Sequence, residues 1–178
     1  MNAILKLEAD RNYIPALEEY RKAYAENPSD YRLWRHYYFF LWYLTVEDYP
    51  LGLQDFVADQ KIADELKVLG DEGIKRHRGN PDALFVLGYT IGIFPYLFGD
   101  YTEWENTAKQ FLESAHVLSP EDKIYKLAYL GSIPSGAETE YLQACKTAAP
   151  EVISRFEGND LFNSYFREVL YRAEGSNQ

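Results

Sequence analysis

The sequence predicts an all-α protein built from stacked antiparallel helical hairpins, either as a right-handed superhelix or as an irregular bundle. Apolar residues recur at intervals of three and four along most of the chain, which is the periodicity of amphipathic helices. No segment alternates with period two for long enough to require a strand. Nearly half of the 178 residues are hydrophobic (47%) and 26% are charged, so the chain can bury a substantial core and is not of the disordered type.

Ten helices follow from this periodicity. In chain order they are predicted over residues 2–9, 13–26, 30–44, 54–77, 81–98, 102–117, 120–130, 136–147, 149–156 and 160–173. The breaks between them fall at Pro50–Gly52, Gly79–Pro81, Gly99-Asp100, Gly131–Gly136 and Gly158. No linker rich in Ser or Gly divides the chain, so residues 1–178 are predicted to form one domain.

Capping signals predict where several of these helices begin. Asn27-Pro28, Asn80-Pro81 and Ser119-Pro120 each place a good N-cap residue before a proline that suits a first helical turn. Ser119 and Asp122 also approximate a capping box. Asp160 is expected to cap the last helix, whose apolar residues recur at three and four positions.

The segment 83–99 contains seventeen residues without a charge. A transmembrane helix needs about 20 apolar residues. This segment is shorter, Pro95 interrupts it, and acidic residues rather than basic ones flank it, namely Asp82 and Asp100. We therefore expect no membrane span and interpret the segment as a helix buried on all sides.

The acidic charge is concentrated in one part of the chain. The net charge is −10, and residues 45–74 carry eight carboxylates against only Lys61 and Lys67. Such a chain repels nucleic acid and anionic membranes and attracts basic proteins. The predicted face for a basic partner comprises Glu47, Asp48, Asp55, Asp59, Asp64 and Glu65. Within this face, Asp55 and Asp59 lie one helical turn apart. Such a pair can form an acid–base or cation-binding site. We favour the alternative that it lies at the exposed end of a helix, because a buried carboxylate without a partner is costly.

Two stretches share the same spacing of small and large residues. Ala16, Tyr20, Ala23 and Pro28 are separated by 4, 3 and 5 positions, and Ala108, Leu112, Ala115 and Pro120 repeat those separations. Small residues at such positions let a neighbouring helix approach closely. The spacing resembles the second helix and turn of a tetratricopeptide repeat. Trp34 and the Leu87-Gly88 pair with Ile91 resemble the first helix of that repeat, although Tyr37-Tyr38 and residues 45–79 depart from its pattern.

This resemblance implies a groove for a peptide, because the first helices of such repeats line a concave surface. Carried over by position, the groove-lining residues are Arg32, Arg35, Phe39, Trp42, Tyr43, Phe85 and Tyr89, while Trp34 and Tyr38 point into helix packing. Eight of the fourteen residues from Tyr31 to Leu44 are aromatic. The alternative is that this whole helix is buried, with only the tips of its two arginines at the surface.

No catalytic, metal-binding or cofactor-binding motif stands out, so we predict that the protein is not an enzyme and needs no metal or cofactor. The three histidines, His36, His77 and His116, are scattered along the sequence. The pair Glu113-x-x-His116 matches the iron-binding pair of di-iron bundles, but those proteins need a second such pair and this sequence has none. Cys145 is the only cysteine and is interpreted as a core thiol. The absence of a possible internal disulfide and of a secretion signal predicts a cytoplasmic location.

These observations favour a non-catalytic protein that binds and holds a basic protein partner. The most concrete form of this hypothesis is an immunity protein that neutralises a basic bacterial toxin. The first alternative is a repeat-type adaptor or chaperone that grips a peptide in the aromatic and arginine-lined groove. The second alternative is a metalloprotein or enzyme of the helical-bundle type.

Overall fold

The computed structural model describes residues 1–133 and 137–172, and over these ranges the chain is helical and contains no strand. The α-helices are α1 (Asn2–Ala9), α2 (Tyr13–Glu26), α3 (Tyr31–Val46), α4 (Asp48–Leu51), α5 (Gln54–Asp59), α6 (Ile62–Arg76), α7 (Pro81–Ile93), α8 (Tyr101–Leu118), α9 (Lys123–Gly131), α10 (Glu138–Arg155) and α11 (Leu161–Leu170). A 3-10 helix spans Pro95–Leu97. The all-α prediction is confirmed.

The chain divides into two compact units. Unit 1 comprises Met1–Glu72 together with Gly158–Ser164, and unit 2 comprises Gly73–Glu157 together with Tyr165–Gln178. Two of the three boundaries therefore fall inside α6 and α11, and the third lies between α10 and α11. That residues 1–178 form a single domain stays a prediction.

Aromatic rings hold the main hairpin of unit 1 together. Tyr13 of α2 lies against Phe40 of α3, while Tyr20 and Tyr24, further along α2, lie against Tyr37, earlier in α3. This order shows that α2 and α3 run antiparallel. Tyr20 and Tyr37 stack with 5.0 Å between ring centroids, a geometry that adds to the stabilisation from burial.

In unit 2, glycines take the place of rings at the closest helix contact. A Cβ atom built on Gly88 of α7 would meet Leu112 of α8, whereas one built on Gly92 would meet Ala108. Because the numbers rise along one helix and fall along the other, α7 and α8 form an antiparallel hairpin. Ala108, Leu112 and Ala115 are all buried, as the repeat-like spacing predicts.

A second antiparallel hairpin of unit 2 is formed by α9 and α10. Gly131 at the end of α9 lies beside Tyr141 near the start of α10. At the other end, Arg155 of α10 donates a hydrogen bond to Asp122, the N-cap of α9, at 2.6 Å. Helical hairpins are thus the building element of both units.

Two of the predicted caps are confirmed and two are wrong. Asn80 accepts hydrogen bonds from the backbone amides of Asp82 and Ala83, and Asp160 accepts one from Asn163. Asn27 and Ser119 instead follow the last turns of α2 and α8. The N-caps of the next helices are Asp30 and Asp122, because an Asn-Pro or Ser-Pro pair can equally end the preceding helix in a turn.

Several predicted boundaries are also wrong. The single helix predicted over 54–77 is two helices, α5 and α6, with a break at Gln60-Lys61, and α4 extends into the predicted break at Pro50–Gly52 and ends at Leu51. In place of the two helices predicted over 136–147 and 149–156, the structure has one helix, α10 (Glu138–Arg155), which passes through Pro150. The buried stripe of Ala144, Ala148 and Val152 continues across the proline, and its packing outweighs one lost backbone hydrogen bond. Residues 136 and 173, the predicted start of one helix and end of another, lie outside the described residues.

The break between α5 and α6 depends on an unusual backbone conformation at Lys61, whose φ is +53°. A left-handed conformation costs an L-residue with a Cβ atom about 1–2 kcal/mol. We expect Lys61→Gly to raise the free energy of unfolding by up to about 1 kcal/mol, since glycine adopts this conformation without strain.

Lys67→Gly is the matched control for Lys61→Gly, because it makes the same chemical change inside the helical stretch of α6. It should lower the free energy of unfolding by about 1 kcal/mol. Urea melts of both variants test the pair, and equal effects would contradict the assignment of strain to Lys61.

The uncharged segment forms α7, and its residues from Ala83 to Ile91 are mostly buried, as predicted. The helix ends at Ile93, and the chain then enters the 3-10 helix at Pro95. Among the described residues, no helix has both the length and the apolar character required to cross a membrane.

Candidate functional site

The acidic segment of unit 1 places most of its predicted site residues at the surface. Asp55, Asp59 and Asp64 are exposed, and Glu47 and Asp48 are half-buried. None of these five carboxylates forms an ion pair with a described residue. Their negative charge is therefore not compensated locally and can act on a cationic partner.

The local helices explain why acidic residues are accepted here. Asp48, Asp55 and Asp64 lie in the first turns of α4, α5 and α6, where a negative charge is stabilised by the helix dipole. Asp59 is the last residue of α5, so the exposed-end interpretation of Asp55 and Asp59 agrees with the structure.

Glu65 differs from the other members of the predicted acidic face. It forms an ion pair with Arg21 at 2.8 Å and accepts a hydrogen bond from the Tyr37 hydroxyl. Burial, with Glu65 as a further cause, raises the pKa of Tyr37. Because its carboxylate is already bonded to α2 and α3, Glu65 stabilises the hairpin and does not contribute a free charge, and its assignment to the partner-binding face stays a prediction.

Tyr49 is a surface feature that the sequence analysis missed. It lies in α4 directly after Glu47 and Asp48, and 80% of it is exposed. The backbone amide of Leu53 donates to the carbonyl of Asp48 at 2.8 Å, and Gly52 adopts φ +67° to close the turn. Tyrosine is enriched among the residues that contribute most of the binding energy at protein interfaces. Sequence reasoning treated Pro50–Gly52 only as a break and so overlooked the ring before it.

The predicted peptide groove does not exist as a surface formed by all its residues. Phe39, Trp42 and Phe85 are buried to 99% or more, so they are core residues in this structure. Phe39 packs edge-on against Phe162 at 5.3 Å, and Phe85 packs against Tyr125 and Phe166. Position in a repeat pattern could not reveal this, because the covering rings come from distant parts of the chain.

The remaining groove candidates reach the surface to different degrees. Arg32 is exposed, whereas Arg35, Tyr43 and Tyr89 are half-buried. The Arg35 guanidinium lies 4.5 Å above the Phe162 ring, a cation–π contact within unit 1. Since Trp34 and Tyr38 are buried as well, α3 follows the alternative interpretation of a buried aromatic helix with arginines at its surface.

Unit 1 also contains a buried polar cluster, consisting of Glu8, Tyr20, His36 and Asp160. Glu8 is 2% exposed, and its carboxyl accepts hydrogen bonds from the Tyr20 hydroxyl at 2.5 Å and the Leu161 amide at 3.1 Å. Burial raises the pKa of Glu8 to about 8, although both hydrogen bonds act in the opposite direction. Glu8 is therefore mostly protonated near neutral pH, an unusual state for a glutamate.

His36 joins this cluster through Asp160. Its Nδ1 lies 3.7 Å from a carboxylate oxygen of Asp160, and its Nε2 lies 3.2 Å from a guanidinium nitrogen of Arg35. Since the guanidinium can only donate, Nε2 is the acceptor and the ring proton belongs on Nδ1, facing Asp160. The cluster ties α1, α2 and α3 to the first turn of α11 and has a structural purpose.

The three other candidates for chemistry all belong to unit 2. Cys145 is buried, and His116 stacks on Tyr129 with 5.7 Å between ring centroids. Burial lowers the pKa of His77. Among residues 1–133 and 137–172, no group of three or more His, Cys, Asp or Glu side chains is arranged to hold a metal ion.

Comparisons with known proteins identify no relative of this chain. A scan against protein-family models finds no match, and searches of curated proteins and of solved structures find no significant one. The resemblance to tetratricopeptide repeats therefore rests on residue spacing and on the presence of helical hairpins, and no family match supports it.

Proposed function

We propose that this is a non-catalytic binding protein, which binds a basic protein through the acidic surface of unit 1. We define this surface by Glu47, Asp48, Tyr49, Asp55, Asp59 and Asp64. The observation that supports the proposal most directly is the exposure of Tyr49 beside carboxylates that have no ion-pair partner among the described residues.

The two parts of the surface have different physical effects on binding. Uncompensated carboxylates attract a cationic partner and raise the rate of association, an effect that salt screens. A tyrosine ring adds apolar contact area and a hydroxyl at little cost in conformational entropy, which is why tyrosine is frequent at the centre of interfaces. The proposed partner is accordingly a folded protein with a basic surface.

The most concrete form of the proposal is an immunity protein that covers the basic, nucleic-acid-binding surface of a bacterial toxin. It rests on complementary charge. If the partner is such a toxin, coexpression of this chain should restore growth to cells that produce the toxin.

Capture from the native cells tests the surface itself. The wild-type chain should retain a basic protein, and the triple variant Asp55→Asn, Asp59→Asn, Asp64→Asn should retain much less of it. With the purified partner, we expect the triple variant to associate roughly tenfold more slowly at low salt and to show a flatter salt dependence. Tyr49→Ala should raise the dissociation rate by about tenfold or more, without changing the melting temperature.

Two matched controls separate the surface from total charge and from aromatic content. Glu18→Gln, Glu19→Gln, Glu26→Gln removes the same charge from exposed positions of α2, and Tyr101→Ala removes an exposed ring from unit 2. Both should bind as the wild type does. Equal losses in the α2 variant and the triple variant would show that net charge alone attracts the partner, and full retention by the triple variant and by Tyr49→Ala would rule out this surface.

A further inference from the structure

Unit 2 contains a cavity of about 370 Å³, which the proposed protein-binding function does not involve. Helices α7, α8, α9 and α10 line it, together with the end of α11 and Arg172. Small residues create the space, notably Gly92, Ala108 and Ala128. Its volume is at the lower end of the roughly 300–1,000 Å³ typical of small-molecule pockets.

The cavity is amphipathic, because polar groups occur beside its apolar lining. The hydroxyl-bearing rings of Tyr89 and Tyr141 and the side chain of Arg172 all line it. Arg172 is close enough to act on both rings: burial raises the pKa of Tyr89 and of Tyr141, and the positive charge of Arg172 opposes the increase in each.

The charge of this cavity is opposite to that of the whole chain. Lys109 and Glu105 form an ion pair at 3.3 Å across one turn of α8, so their charges cancel. Arg172 forms no ion pair with a described residue. In a protein of net charge −10, the cavity therefore has one uncompensated positive charge.

We propose that this cavity is a binding site for a small organic carboxylate with an apolar body. The apolar body occupies the space beside Gly92, Ala108 and Ala128. The carboxylate pairs with the guanidinium of Arg172 and accepts a hydrogen bond from a tyrosine hydroxyl. A guanidinium and a phenol are both donors, and together they match the acceptor oxygens of a carboxylate.

Three probes of equal size test whether the cavity binds an apolar body and whether it prefers a carboxylate. The probes are 4-phenylbutyrate, 4-phenylbutan-1-ol and 4-phenylbutylamine, which share one body and differ in charge. Titration followed by NMR shifts should show the acid binding about tenfold more tightly than the alcohol, with the amine weakest. A short peptide ending in phenylalanine, with a free or an amidated C-terminus, shows whether the carboxylate of a polypeptide is also accepted.

Two variants locate the site. Gly92→Leu should remove binding of both the acid and the alcohol by filling the space. Its Cβ atom meets only the Cβ of Ala108, at the ordinary contact distance of 3.5 Å, so the helix can accept a side chain. Arg172→Gln should abolish the tenfold preference for the acid but leave binding of the alcohol intact. Lys126→Gln removes an exposed cation of α9 that does not line the cavity and should change neither.

Some outcomes would contradict the ligand class, and others would contradict the site. Equal affinity for the acid and the alcohol, or an unchanged preference in Arg172→Gln, would overturn the assignment of a carboxylate ligand. Undiminished binding in Gly92→Leu, or no binding of any probe at millimolar concentration, would overturn the site.

Discussion

Glu8→Gln should make the protein more stable at pH 8 and leave its stability near pH 5 almost unchanged. Glu8 is buried against Tyr20 and the first amide of α11, where burial raises the pKa of its carboxyl from 4.5 to about 8. A glutamine of the same shape can accept the Leu161 bond and donate to the Tyr20 hydroxyl, and it carries no charge at any pH.

The sign of this change in stability with pH follows from proton linkage. Between pH 4.5 and pH 8 the unfolded chain releases the Glu8 proton while the folded chain keeps it, so folding takes up a proton. The contribution of Glu8 to stability is complete below pH 4.5 and is lost as the pH rises toward 8. A pKa raised by this much corresponds to roughly 3 kcal/mol of lost stability between pH 5 and pH 8.

Urea melts of both proteins from pH 5 to pH 8 measure this difference, because comparing the two chains removes the contribution of every other titrating group. Glu19→Gln is the control, since Glu19 is exposed on α2 and should show no pH-dependent difference. Parallel stability curves for wild type and Glu8→Gln across this range would show that the Glu8 carboxyl is not protonated in the folded protein.

Gly88→Ala should lower the free energy of unfolding by roughly 1–3 kcal/mol. A Cβ atom at this position would lie 2.8 Å from Leu112 Cγ, 2.9 Å from the Ala108 carbonyl oxygen and 3.0 Å from the Leu112 amide nitrogen. Two of these three atoms belong to the backbone of α8, so the helices must separate to admit one methyl group. The packing of the α7–α8 hairpin would be lost in part.

Gly92→Ala is the matched substitution one turn further along α7, and its expected effect has the opposite sign. Its Cβ atom would meet the Ala108 Cβ at 3.5 Å, an ordinary contact. Alanine in a helix is about 0.5–1 kcal/mol more favourable than glycine. Thermal melts should therefore show a decrease of several degrees for Gly88→Ala and a small increase for Gly92→Ala. Similar melting temperatures for both would contradict the close approach at Gly88.

The helical hairpins could be predicted because their causes are local. The small–large–small spacing of Ala108, Leu112 and Ala115 correctly indicated a helix that a neighbour approaches closely, and Gly88 is the residue that approaches it. Boundaries were less predictable where two local signals competed. At Pro150, the packing of the apolar stripe outweighed the tendency of proline to break a helix. At Lys61, a left-handed backbone conformation separates α5 from α6 although the sequence has no glycine or proline there.

In the candidate site, too, features with local causes could be predicted and contacts between distant residues could not. Asp55, Asp59 and Asp64 are exposed as expected, because a carboxylate without a partner stays in water. The bonds of Glu65 within the hairpin could not be predicted, since its partners Arg21 and Tyr37 are 44 and 28 residues away and no local pattern shows them. The rings Phe39, Trp42 and Phe85 were misassigned for the same reason.

The sequence alone determined that this protein is an acidic stack of helical hairpins, because periodicity, caps and charge act within a few residues of one another. Only the tertiary structure decided which aromatic rings form the core, that Tyr49 is exposed, and that Glu8 is buried with a raised pKa. Burial depends on what distant segments cover. Residue 161 meets residue 8 only when the chain has folded, and the burial of Glu8 in the folded protein raises the pKa of its carboxyl.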